Sequence, residues 1–202
     1  TYVSLVIDEC IKVGYNSLFI VTIVSVFMGA VVTVQTAYNL VSPFIPDYVI
    51  SLVVRDMTVL ELSPTIIAIV YAGKVGSNIA GELGTMRITE QIDALTTLST
   101  NPFKYLVAPR LIAGILMLPI LVLIADIIGV FGGYLVGIYR LGFNSSVYLS
   151  KTLEFLEFSD VMLGLLKAAI FGFIIALMGC YHGYHSGRGA KGVGKATTNA
   201  VV

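Results

Sequence analysis

Four long apolar runs divide this chain, and polar residues gather between them rather than alternating with them. The first run, residues 18–40, carries no formal charge. A membrane-spanning helix needs about 20 apolar residues, so this run predicts a span. The second is less uniform. Residues 48–71 contain Arg55, Asp56 and Glu61, with Pro64 close behind. We read residues 45–56 as an interfacial or re-entrant lead-in and place the span itself at about 59–76. The third run, 111–139, is interrupted by Asp126 and is expected to kink near Pro119. The fourth, 161–181, holds one charge, Lys167. None of the runs alternates with period two and each exceeds a barrel strand in length, which argues against a β-barrel.

Loop charge gives an orientation. Cytoplasmic loops of membrane proteins carry the excess of Lys and Arg. Lys12, the 74–110 connection (Lys74, Arg87, Lys104, Arg110) and the tail after Tyr181 (Arg188, Lys191, Lys195) supply eight cations. The 41–48 connection supplies none, and 140–160 supplies Arg140 and Lys151. The N-terminus, the polar island at 81–95 and the Gly-rich tail at 182–202 are therefore expected on the cytoplasmic side, as a four-span count requires.

Composition agrees with this picture. Of 202 residues 57% are hydrophobic and 12% charged, with a mean hydropathy of +0.93; a soluble domain carries about a quarter charged residues. The fold class expected is an all-α integral membrane protein, a single helical-bundle domain over 1–202. The net charge is zero, which gives no electrostatic case for nucleic acid. Cys10 and Cys180 lie far apart in or beside apolar runs and read as small apolar residues. His182 and His185 lack a nearby acid and read as interfacial polar residues rather than a metal site. No nucleophile–base arrangement, paired carboxylates or H-E-x-x-H motif points to catalysis.

Small residues recur every four positions in two spans: Ala125, Gly129, Gly133 and Gly137 in the third, and Gly164, Ala168, Gly172, Ala176 and Cys180 in the fourth. Such faces let helix backbones approach closely in lipid. The simpler expectation is that these two helices pack on each other; the alternative is a subunit interface.

The polar island GELGTMRITEQIDAL, residues 81–95, needs its own account. With Thr85 as the N-cap, a helix to about Thr97 puts Ile88, Ile92 and Leu95 on one face and Arg87, Glu90 and Asp93 on the other. Asn101-Pro102 bounds it. It is either a solvated surface helix or a docking helix for a cytoplasmic partner. The chain has no G-x-x-x-x-G-K-[ST] motif of its own; Gly192-Val-Gly-Lys195 lacks the spacing.

Charges inside the spans are costly and ask for a reason. Glu61 reads equally as a cavity residue for a lipid headgroup or as a structural pair with a donor on another helix. For Asp126 a structural role is favoured, and for Lys167 snorkelling to the interface.

The run AGKVGSNIAGELGTMRITEQIDAL (72–95), with NPFKYLVAPRL (101–111) and GKATTNAVV (194–202), resembles the signature of the MlaE/YrbE family, permease subunits of ABC transporters that work with MCE proteins on lipids. The resemblance covers most of the chain. It implies a permease without its own nucleotide site, in the bacterial inner membrane, with ATP and Mg on a separate cytoplasmic ABC ATPase. It also implies a second permease copy, a periplasmic MCE protein and phospholipid as cargo. The island becomes a coupling helix, to which Glu82, Thr85, Arg87, Thr89, Glu90, Gln91 and Asp93 are assigned. Glu61 and Pro64 are assigned to the lipid cavity, and Gly129, Gly133, Gly137, Gly164 and Gly172 to helix packing. Where the family has an Arg-Glu-Leu-Gly-Pro run, this chain reads Leu60-Glu61-Leu62-Ser63-Pro64. A fifth span and an N-terminal interfacial segment are expected to be cut off here. The competing function is a secondary carrier or channel that uses Asp126 and Glu61 as ion or proton sites; an intramembrane enzyme lacks a visible active site.

Overall fold

A computed structural model describes residues 2–40, 46, 48–154 and 156–202. Helix α1 (Tyr2–Gly14) passes through a 3₁₀ turn at Tyr15–Ser17 into α2 (Leu18–Asn39). Then come α3 (Tyr48–Asp56), α4 (Ser63–Tyr71) and α5 (Ser77–Ile88), joined by π-helical turns at Met57–Leu62 and Ala72–Gly76. Short α6 (Gln91–Thr97) follows, and a third π turn, Phe103–Val107, opens α7 (Ala108–Tyr139). The chain ends in α8 (Ser145–Glu154), α9 (Phe158–Tyr184) and α10 (Gly189–Asn199). Among the described residues there is no strand.

Three helical stretches are long and apolar enough to cross a membrane: Tyr2–Asn39, Phe103–Tyr139 and Phe158–Tyr184. They hold the first, third and fourth predicted spans. The second, 59–76, is helical throughout but carries Glu61 and Lys74, and its helix is not among these three. Of the predicted lead-in, residues 45 and 47 lie outside the described residues, as does most of the 41–48 connection; 48–56 are α3. Pro119 sits inside α7 without ending it.

The residues group into two compact units. One comprises Thr1–Ser17, Ala68–Pro119 and Ala168–Val202. Its buried residues include Tyr71, Leu83, Ile92 and Leu118. Here α10 lies along α5: a methyl added at Gly84 would meet both Val193 methyls at 3.3 Å, and one at Gly81 would meet Thr197 at 3.4 Å. The Gly-rich tail is thus largely helical. The absence of side chains at Gly81 and Gly84 of α5 leaves room for Val193 and Thr197 of α10.

The other unit comprises Leu18–Ile67 and Ile120–Lys167. Val32, Ile50 and Val54 form a core patch covered by Ala37, Leu40, Leu62 and Phe143. The third and fourth spans do pack on each other, but through Gly172 and Ala176 of α9 against Gly114 of α7 rather than ladder to ladder. Gly129 and Gly133 pack against α2, where a methyl at Gly29 would overlap the Gly129 carbonyl and one at Gly133 would stand 2.6 Å from Thr33 Oγ1. Gly137 meets Tyr148 and Phe143, and Gly164 meets the Val59 carbonyl. In the first unit, Gly172 abuts Gly114, a residue outside both ladders. On α2, Ser25, Gly29 and Thr33 recur at the same four-residue spacing and are the groups that Gly129 and Gly133 meet.

Candidate functional site

The polar island is two helices rather than one. Thr85 does not cap a helix: its hydroxyl donates back to the Gly81 carbonyl at 2.8 Å, inside α5. Thr89 does the same to the Thr85 carbonyl at 2.9 Å. The break falls at Glu90, whose φ of 57° puts it in the left-handed region, and α6 starts at Gln91. Left-handed backbone is unfavourable for a residue with a Cβ, so the surrounding fold holds this corner. Ile92 anchors it by burial. Ile88, its expected companion on the apolar face, is exposed.

Across the corner Arg87 Nη1 donates to Asp93 Oδ1 at 3.3 Å, and the guanidinium lies 5.9 Å from the centre of the Tyr184 ring. Tyr184 stacks at 4.9 Å on Phe103. Glu90 and Gln91 are exposed at the tip. Beside them a groove of about 710 Å³ runs between α5 and α10, lined in part by Thr85, Met86, Gln91, Val193 and Thr197.

Glu82 behaves differently from the rest of the island. Its Oε2 accepts from Arg110 Nη2 at 3.1 Å, and its Oε1 pairs with Lys12. Arg110 is buried, stands 3.4 Å from Glu9 and donates to the Leu106 carbonyl at 2.9 Å. Arg110 therefore ties α1, α5 and the start of α7 together. Glu9, Lys12 and Arg110 entered the sequence reading at most as loop charges. The i, i+3 spacing of Glu9 and Lys12, and a cation opening a long apolar run, were the available signals. His185 Nδ1 lies 2.9 Å from the Tyr181 carbonyl oxygen.

In the second unit, Glu61 pairs with Lys167 at 2.8 Å, and Lys167 also donates to the Leu60 carbonyl at 2.9 Å. Lys167 is thus held by a partner instead of snorkelling alone. The Leu60 carbonyl belongs to a π turn, where the helical hydrogen-bond pattern shifts. Pro64 is buried near Gly164. Next to these residues opens an apolar groove of about 680 Å³. Ile23, Phe27, Val31, Met57, Leu62 and Ile66 wall it, with Gln35, Thr36 and Asn39 towards the end of α2. Glu61 and Pro64 are not among its lining residues. On α8, burial pushes the Tyr148 phenol up from its ordinary pKa, partly offset by the Thr33 hydroxyl, so it is a neutral ring against Gly133 and Gly137.

Among the described residues, three continuous apolar helices long enough to cross a membrane mark a multi-pass membrane protein. Residues 6–202 match the family described as Permease MlaE, and the chain belongs to that family. It is 54% identical over 201 residues to a probable ABC transporter permease protein of Rickettsia prowazekii, covering 100% of this chain and 77% of that one. A probable ABC transporter permease protein of Synechocystis is 40% identical over 196 residues (97% of this chain, 74% of the relative). A relative described in the same words from Pyropia yezoensis is 37% identical over 196 residues, again covering 97% and 74%. The chain is an ABC transporter permease of the MlaE family.

Proposed function

We propose that this permease moves phospholipid between the bacterial inner membrane and the periplasm or outer membrane as the transmembrane subunit of an ABC transporter. The observation that carries the lipid reading is the 680 Å³ groove along α2, apolar for most of its length and polar at one end. The apolar walls match an acyl chain, and the groove's Gln35, Thr36 and Asn39 offer hydrogen bonds near a headgroup. Four spans, at 18–40, 59–76, 111–139 and 161–181, are few to enclose a whole lipid. Two copies of the chain would complete the path, and an MCE protein would meet it on the outer face.

The driving subunit would be a separate ABC ATPase holding ATP and Mg. The exposed corner at Arg87, Glu90, Gln91 and Asp93, with the α5–α10 groove beside it, is the surface proposed to receive it. Glu82 would contribute from behind, by bracing α5 through Arg110. The test is recovery of the full-length protein from mild detergent with its associated proteins quantified. An ATPase at near-equal copy number and an MCE protein are expected; purification without any ATPase would make the corner a plain surface helix.

The carrier reading has one observation in its favour, the buried Asp126 whose Oδ1 has no partner. Its second site is weakened, because Glu61 is engaged by Lys167.

A further inference from the structure

A second cavity, about 370 Å³, opens in the same unit as the α2 groove but on different walls. Its lining is apolar (among others Val59, Leu123, Ile127, Leu153 and Leu156) apart from Arg55, Asp126 and Thr152. Arg55 and Asp126 are only 5% and 8% exposed, so two ionisable groups stand over nine-tenths buried in an oily chamber. Their charges are not equally answered. Arg55 donates from Nε to Asp56 Oδ1 at 2.9 Å, pairs with the same oxygen through Nη2, and reaches the Thr152 carbonyl from Nη1 at 3.5 Å. Asp126 Oδ1 has no hydrogen-bond partner. The Ser63 hydroxyl interacts with that carboxyl, yet Ser63 Oγ and Oδ1 both fall short of a hydrogen bond. With Arg55 balanced by Asp56, the chamber keeps one carboxyl oxygen, Asp126 Oδ1, that no group answers. It also keeps spare guanidinium donors, because Arg carries five N–H groups.

Ionising that carboxyl in an apolar chamber is costly unless a cation meets it. We infer that this chamber recognises the headgroup of an amine-bearing phospholipid. The primary ammonium donates to Asp126, the phosphate accepts from the free N–H groups of Arg55, and the apolar walls take the first part of an acyl chain. This rests on the proposed lipid-moving role and adds a headgroup preference to it. The carboxylate asks for a hydrogen-bond donor as well as a positive charge, so a quaternary ammonium fits worse than a primary one.

The experiment uses the full-length permease with its associated ATPase in nanodiscs of equal phosphatidylethanolamine, phosphatidylglycerol and phosphatidylcholine, followed by mass spectrometry of protein-bound lipid. Phosphatidylethanolamine should exceed each of the others by about tenfold over the bulk ratio, the worth of one charge-assisted hydrogen bond. Asp126→Asn should return the ratio to that of the disc, and Asp126→Glu should retain part of the preference. A wild-type series of N-monomethyl and N,N-dimethyl headgroups, which requires no variant to fold, should lose binding stepwise as donors disappear. Equal preference in wild type and Asp126→Asn, or none in wild type while lipid is retained, overturns the headgroup assignment and leaves the lipid reading standing. Wild type that retains no lipid overturns both.

Discussion

Arg110 and Glu82, 28 positions apart, meet at 3.1 Å with the guanidinium buried and the carboxylate only partly so. The same Arg110 stands 3.4 Å from Glu9, and Lys12 takes the other Glu82 oxygen. Two acids and two bases from α1, α5 and α7 thus form one network at the base of the polar corner. Removing the cation at its centre leaves two acids facing each other. Arg110→Gln is expected to destabilise the protein by roughly 2 kcal/mol, at or below the low end for a broken buried pair because both acids keep some contact with water. Thermal unfolding in detergent reads this. Lys12→Gln, at the exposed edge, should cost much less.

The corner at Glu90 separates backbone from surface chemistry. Glycine carries no Cβ penalty at a φ of 57°, so Glu90→Gly is expected to hold or raise the unfolding midpoint, by up to about 1 kcal/mol in stability. Glu90→Pro, whose ring fixes φ near −65°, should lower it. Charge reversal (Arg87→Glu or Glu90→Lys) should leave the unfolding midpoint within about 0.5 kcal/mol of wild type, as surface changes do, while reducing the ATPase recovered with the permease. Normal recovery with both reversals would remove the corner from the docking surface.

Close helix approach makes some glycines intolerant and others indifferent. A methyl at Gly29 would overlap the Gly129 carbonyl, and one at Gly172 the Gly114 carbonyl; both are backbone atoms that cannot rotate away. Gly29→Ala and Gly172→Ala are expected to cost about 1–3 kcal/mol each, as overpacking does. Gly73→Ala has nothing within 4 Å of the new methyl and should be neutral or slightly stabilising. Unfolding midpoints of the three variants decide it.

Glu61 and Lys167 are tested by a double-mutant cycle. Glu61→Gln alone leaves a lysine on an apolar helix without its counter-ion, and Lys167→Met alone leaves the acid. Each should impair stability or transport more than the pair together, where both charges are gone. Additive effects would show that the 2.8 Å contact contributes nothing.

How much of this was readable beforehand depends on what each residue needed to know. The apolar runs announce themselves, because a span is fixed by length and composition: three of the four coincide with helices that can cross a membrane. That Gly129, Gly133 and Gly172 serve close packing was also legible. Their partners were not, since Gly29 and Gly114 are selected by tertiary arrangement. The corner at Glu90 was invisible for a related reason: a glutamate in left-handed backbone is imposed by its surroundings, here the buried Ile92, against its own preference. Helix α10 was not legible because glycine disfavours an isolated helix; its Val193 and Thr197 pack where Gly84 and Gly81 of α5 leave room. Lys167 looked self-sufficient because its partner lies 106 positions away.

The most direct measurement is ATP-driven movement of fluorescent phospholipid in proteoliposomes that hold the full-length permease and its ATPase. ATP hydrolysis should move labelled lipid at a rate well above that of vesicles with either subunit alone, and a hydrolysis-dead ATPase should abolish the gain. Lipid movement that is equal with and without ATP, in a complex that still hydrolyses it, would contradict the account.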